Sequence, residues 1–128
     1  MQDCWEIASV TIEGKLLRSQ IRMRSTYLSP SDNHGFHLTI FTALEFLSQL
    51  AIIYGHVWAG YEEKKREGWL LESTIAAKKS IRSSDNIMVE MEAASIRKVG
   101  DNIIGKSRAR VVDDEGGLFL ATLKCFLS

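Results

Sequence analysis

The chain has no excess charge of either sign, one proline (Pro30) and only two cysteines (Cys4 and Cys125). Sixteen Lys and Arg residues balance sixteen Asp and Glu. No surplus of cations is therefore left to neutralise a phosphate backbone, which argues against nucleic-acid binding. Zero net charge also means weak self-repulsion, which permits oligomers. Cys4 and Cys125 lie near opposite ends, without a CxxC or a neighbouring His at zinc spacing, so neither a disulfide scaffold nor a zinc site is expected. A reducing compartment is the simplest reading. The opening Met1-Gln2-Asp3-Cys4-Trp5-Glu6 is acidic and lacks the apolar stretch of a secretory signal, so a cytoplasmic location is expected. There is no repeat, no low-complexity tract and no internal linker.

What is present is ordinary for a globular protein: 128 residues, 45% hydrophobic and 25% charged. That length predicts one domain, residues 1–128, with a core of modest surplus. Cys4 to Tyr27 mixes β-branched and polar residues around Glu13-Gly14-Lys15 and reads as a strand pair. The segment Ser29-Pro30-Ser31-Asp32-Asn33-His34-Gly35 is dense in turn formers and reads as a loop. Four strands are predicted after residue 68: Trp69 to Arg82, Asn86 to Val99, Asn102 to Asp113 and Leu118 to Leu127. They are separated by Ser83-Ser84-Asp85, Gly100-Asp101 and Asp114-Glu115-Gly116-Gly117, all of hairpin-turn composition. In the second, Val89, Met91, Ala93 and Ser95 are expected on one face. In the last, Phe119, Ala121, Leu123, Cys125 and Leu127 form an inward set.

Between these groups a helix is predicted from His37 or Leu38 to Trp58, with Gly60 as its stop. Leu38, Phe41, Leu44, Leu47, Leu50, Ala51, Tyr54 and Trp58 recur at spacings of three and four. Ile40, Phe46, Ile52, Ile53 and Val57 make nearly the whole circumference apolar, so the helix is expected to be wrapped by other structure. Thr42, Glu45, Gln49 and His56 form one polar stripe. Glu45, Ser48, Gln49 and His56 also argue against a membrane span. A helix of that length is roughly 30 Å long, and strands of ten or more residues suit a sheet curled around it. Strand pair, loop, long apolar helix and four long antiparallel strands is the order of an α+β hot-dog fold. An uncovered sheet edge or face predicts at least a homodimer.

The loop and helix start concentrate the candidate chemistry. Asp32, His34 and His37 fall within a few residues of a helix N-terminus, whose free N–H groups and dipole suit a developing oxyanion. Glu45, further along the helix, could activate water or act as nucleophile. Each has a bland reading as well. Asp32 is a common turn residue or helix initiator, a His near a helix start is often structural, and Glu45 could pair with Lys78 or Arg108. His34 and His37 are three apart but have no further ligand cluster, so no metal and no cofactor is expected. Ser48 is in no GxSxG setting.

The run from Gly35-Phe36-His37-Leu38-Thr39-Ile40 through Leu44-Glu45-Phe46-Leu47-Ser48-Gln49-Leu50-Ala51 resembles the central helix of the FcoT-like hot-dog thioesterases. Those carry Gly-His-Phe-Asn at the start and Asn-Gln-Leu-Ala at the end. The likeness extends weakly to Glu72 to Arg82 and to Asp113-Asp114-Glu115-Gly116-Gly117. It implies hydrolysis of an acyl-CoA or related acyl thioester, with His37 as the helix-start His, Gln49 as the helix Gln and Tyr27 lining the site. Thr39 and Ser48 stand where that family has Asn. Glu45-Phe46-Leu47-Ser48-Gln49 is also similar to the Glu-Ala-Met-Ala-Gln of hydroxyacyl-carrier dehydratases, although their Phe-Pro-Gly after the loop His is missing here.

Three functions follow as expectations. The first is a thioesterase acting on a fatty-acyl or polyketide-type thioester of CoA or an acyl-carrier protein. In it Glu45, His37 and Asp32 are catalytic, while Tyr27, His34, Thr39, Ser48 and Gln49 bind substrate. The second is a 3-hydroxyacyl thioester dehydratase, with His34 or His37 removing the α-proton and Glu45 supplying the acid. The third is a non-catalytic acyl-binding protein of the same fold.

Overall fold

A computed structural model of the chain describes residues 4–25, 36–60 and 68–127. In order they form β1 (Cys4–Glu13), β2 (Leu16–Ser25), α1 (Ile40–Ala59), β3 (Gly68–Lys79), β4 (Ile87–Val99), β5 (Asn102–Val112) and β6 (Leu118–Leu127). The strands make one antiparallel sheet in the order β1-β2-β4-β5-β6-β3. Helix α1 lies against β3, β6 and β5 and also touches β1. The expected α+β arrangement is therefore present.

Period-two alternation builds the inner face of the sheet. Leu17, Ile21, Ile87, Val89 and Val111 are fully buried, and Phe119 and Leu123 nearly so. From the helix, Ala43, Phe46, Leu47 and Leu50 meet them, each with no exposed surface. Burying a side chain of Leu or Phe size contributes about 1.5–3 kcal/mol, so this layer dominates the packing. The outer face is polar and laced by exposed pairs such as Arg18–Glu90 (3.5 Å) and Arg108–Glu92 (3.3 Å), which contribute little to stability.

Short-range signals set the turns and caps. The two-residue connections Gly14-Lys15 and Gly100-Asp101 fall between the paired strands, as their composition predicts. Helix α1 ends at Gly60, whose φ of 78° is left-handed and disfavours any residue with a Cβ. Its start is two to three residues later than the periodicity predicts. The N-cap is Thr39, whose hydroxyl accepts from the Thr42 N–H at 3.2 Å.

Three expectations are corrected. The third strand ends at Lys79 rather than Arg82 and makes no hairpin with β4. Instead, β3 pairs with β6 at the far edge of the sheet, and residues 80–86 cross from that edge back to β4. The physical reason is Ile81, which leaves the sheet to become fully buried in the core. Ser95 is exposed rather than inward. Ala93 pairs with Ser107 and Ser95 with Lys106, so Ala94 is a bulge that reverses the alternation and turns Ile96 toward the core. Finally, α1 is not wrapped on all sides: Phe41 is 76% exposed and Val57 54%.

Candidate functional site

The open side of α1 is where the polar stripe separates into two halves. Residues at i, i+3 and i+4 share a helix face, so Phe41, Glu45, Ser48 and Gln49 lie together on the first half. Phe41, Glu45 and Gln49 are exposed and Ser48 is half-buried. On the second half the same stripe continues through Ile52 and His56, and both are buried. Gly68, the first residue of β3, comes so close to Ile52 that a Cβ there would lie 3.0 Å from its Cγ1. Of the polar stripe, Thr42 nearest the helix N-terminus and His56 at the far end are buried, and Glu45 and Gln49 between them are exposed.

Glu45 is held, though not by Lys78 or Arg108. The Trp5 Nε1–H of β1 donates to Glu45 Oε2 at 2.9 Å. The Trp5 ring also packs edge-on against Phe46, with centroids 6.0 Å apart. Arg108 lies on the outer sheet face with Glu92. Trp5 is the site residue that sequence reasoning missed. It is forty positions from Glu45, and only the curl of β1 over the helix brings the two together.

Three other polar side chains of α1 are engaged with backbone carbonyls. Ser48 Oγ donates to the Leu44 carbonyl at 2.7 Å, and its lone pairs still accept. Tyr54 Oη donates to the Gly14 carbonyl at 2.7 Å, and burial pushes its phenol above the ordinary value. His56 Nδ1 lies 2.9 Å from the Ile52 carbonyl, which can only accept, so that nitrogen carries the proton. Of the stripe, this leaves Glu45 and Gln49 presented outward.

At the helix start His37 is exposed, Leu38 is buried, and Thr39 caps the first turn. The Ile40 and Phe41 N–H groups have no intrahelical acceptor, as in every first turn. Glu45 is five residues past Ile40, about 7.5 Å along the axis. Tyr27, Asp32 and His34 lie outside the described residues. Among the described residues no group of three His, Cys, Asp or Glu side chains is gathered in a way that would hold a metal.

A small apolar cavity of about 40 Å³ lies between the second half of α1 and strands β4, β5 and β6. It exists because small residues face each other across the layers: Ala51 and Gly55 on the helix, Ala93 and Gly105 on the sheet. Among the described residues, none of the candidates lines it. A half-buried flank of α1, Leu44, Ser48, Ala51 and Gly55, runs from beside Glu45 to its edge.

Comparison with solved structures identifies the architecture. A thioesterase from Haemophilus influenzae superposes with a TM-score of 0.65 at 13% identity, over 97% of this chain and 78% of that one. A hypothetical thioesterase from Streptococcus pneumoniae, solved with coenzyme A, gives 0.58 at 17% identity, over 97% and 88%. The dehydratase heterocomplex of Xenorhabdus doucetiae gives 0.67 at 15% identity, over 95% and 82%. The chain has the hot-dog fold. No family model matches the sequence, and no curated protein matches it. At these identities the hot-dog likeness concerns the fold, and the chemistry must be argued from the residues.

Proposed function

We propose that the protein hydrolyses an acyl thioester, with Glu45 as the general base. The observation that carries this reading is a carboxylate held by Trp5 on the open side of an otherwise apolar helix, a little over one turn from the first-turn N–H groups. Glu45 takes a proton from water, and the water oxygen attacks the thioester carbonyl carbon. The Ile40 and Phe41 N–H groups stabilise the oxyanion. Collapse of the tetrahedral intermediate breaks the C–S bond. The thiolate leaves with the proton held by Glu45, giving a carboxylic acid and a free thiol.

In this reading His37 and Asp32 assist the base, while Tyr27, His34, Thr39, Ser48 and Gln49 contact substrate; of these, only His37, Gln49 and Tyr27 are implied by the resemblance to the FcoT-like thioesterases. The acyl tail follows the Ser48, Ala51 and Gly55 flank to the apolar cavity. The S. pneumoniae thioesterase solved with coenzyme A supports CoA as the carrier. Edge strands β1 and β3 and the exposed Phe41 support a homodimer. A cytoplasmic location belongs to the same reading.

The test is release of free thiol from acyl-CoAs of increasing chain length. Release above background supports the proposal, and none at any length contradicts it. The likeness to the X. doucetiae dehydratase favours one second reading, reversible hydration of an enoyl thioester. Loss of enoyl absorbance without thiol release is its signature.

A further inference from the structure

We infer that Asp113 is a positioning residue for the start of α1, acting through residues 80–84; its effect on turnover rests on the thioesterase reading. Asp113 follows β5, and its carboxylate accepts four backbone N–H groups from two separate loops. Oδ2 accepts from Arg82 (2.8 Å) and Ser83 (3.1 Å) in the crossing between β3 and β4. Oδ1 accepts from Gly117 (2.6 Å) and Glu115 (3.1 Å) in the β5–β6 turn. The crossing needs this support, because β3 and β4 are not neighbours and supply no ladder to hold it.

The crossing in turn holds the helix start. The carbonyl of the fully buried Ile81 accepts from the Leu38 N–H at 2.9 Å, and the Ser84 carbonyl accepts from the Met23 N–H at 2.8 Å. Leu38 stands between His37 and the cap Thr39. Two hydrogen-bonded steps therefore join Asp113 to Leu38, the residue before the helix cap.

Gly117 shows how closely the clasp is fitted. A Cβ there would lie 2.7 Å from the Ser80 carbonyl oxygen and 2.7 Å from Ile81 Cγ1. The far end is closed by Asn86, whose Nδ2 donates to Asp114 Oδ2 at 3.1 Å and whose backbone N–H donates to Ser83 Oγ at 3.2 Å. Preorganised donors work only when they are aimed where charge develops. A residue that fixes the entry of α1 therefore acts on the chemistry from outside the site.

The test combines kinetics and amide exchange on Asp113→Asn, which keeps one acceptor and turns an NH₂ toward two N–H groups. The kcat for thioester hydrolysis should fall about 10- to 100-fold, the scale of a small misplacement of catalytic groups. KM should stay within about twofold, as expected when only transition-state interactions are lost. Exchange of the Leu38 amide should accelerate about tenfold more than that of Val89 or Val111 in the sheet, as a local opening would. Leu38 protection falling only in step with the sheet, or kcat unchanged while Leu38 loosens, overturns the proposal. A wild type inactive on every thioester refutes the thioesterase reading, and the exchange result alone then decides the inference. Should the variant not fold, native-state exchange of the wild type decides it. The Leu38, Arg82, Ser83 and Gly117 amides should open as one unit, and independent opening is the contrary result.

Discussion

Burial and hydrogen bonding pull in opposite directions at Asp113. Burial raises its carboxyl, while the N–H groups of Ser83, Arg82, Gly117 and Glu115 outweigh that and hold it below the ordinary value. A depressed folded value means that stability from this group is complete above the unfolded value of about 3.9 and is lost as pH falls through the folded one. Asp113→Ala should therefore lower stability at pH 7 by about 1.5–3 kcal/mol. Denaturant melts across pH should show the gap to wild type closing in acid, and a constant gap would count against the clasp. At Cys125 burial alone acts, pushing the thiol up to about 11. Cys4 is exposed. Iodoacetamide at neutral pH should thus label Cys4 while Cys125 stays unmodified until the protein unfolds, and equal labelling would contradict the packing of β6. Of the candidate site, Glu45 was legible as an acid on an apolar helix. Its holder Trp5 was not, because nothing local links a strand residue to a helix residue forty positions away.

Element identity was largely written in local chemistry. Gly14-Lys15, Gly100-Asp101 and Gly60 fall where the strands turn and the helix stops, because turn and cap preferences act over a few residues. Pairing depends on what the rest of the chain leaves open, so the move of β3 to the edge beyond β6 had no local sign. The Ala94 bulge was hidden for the same reason: an alternating run looks unbroken until its partner strand fixes the register. The small-residue flank of α1 carries its own prediction. A Cβ at Gly55 meets Leu127 at an ordinary 3.8 Å, so Gly55→Val should fold. Its methyls would fill the cavity edge, lowering the rate on the longest accepted acyl chain relative to the shortest by about 10- to 200-fold. An unchanged chain-length profile would remove the cavity from the substrate path.

On the scale of the molecule, one chain leaves its central helix half dressed. Phe41 is 76% exposed beside Glu45, and among the described residues the sheet ends in two unpaired edges, one of them the twelve-residue β3. A stable homodimer buries about 1,200–2,000 Å² or more, and such edges and apolar faces are where that area comes from. Sedimentation at micromolar concentration should give a dimer or a multiple of it, and a strict monomer would mean that the open face serves another purpose. The proposed hydrolysis turns on Glu45, which is exposed and, among the described residues, hydrogen-bonded only through an oxygen that Gln also possesses. The most direct measurement is thiol release from an acyl-CoA series by wild type and Glu45→Gln, with the melting temperature of each. Turnover by the wild type and a fall of about 10²–10⁴ in the variant at unchanged melting temperature is the predicted result. Equal turnover by the two proteins, or no thiol released by the wild type, would contradict it.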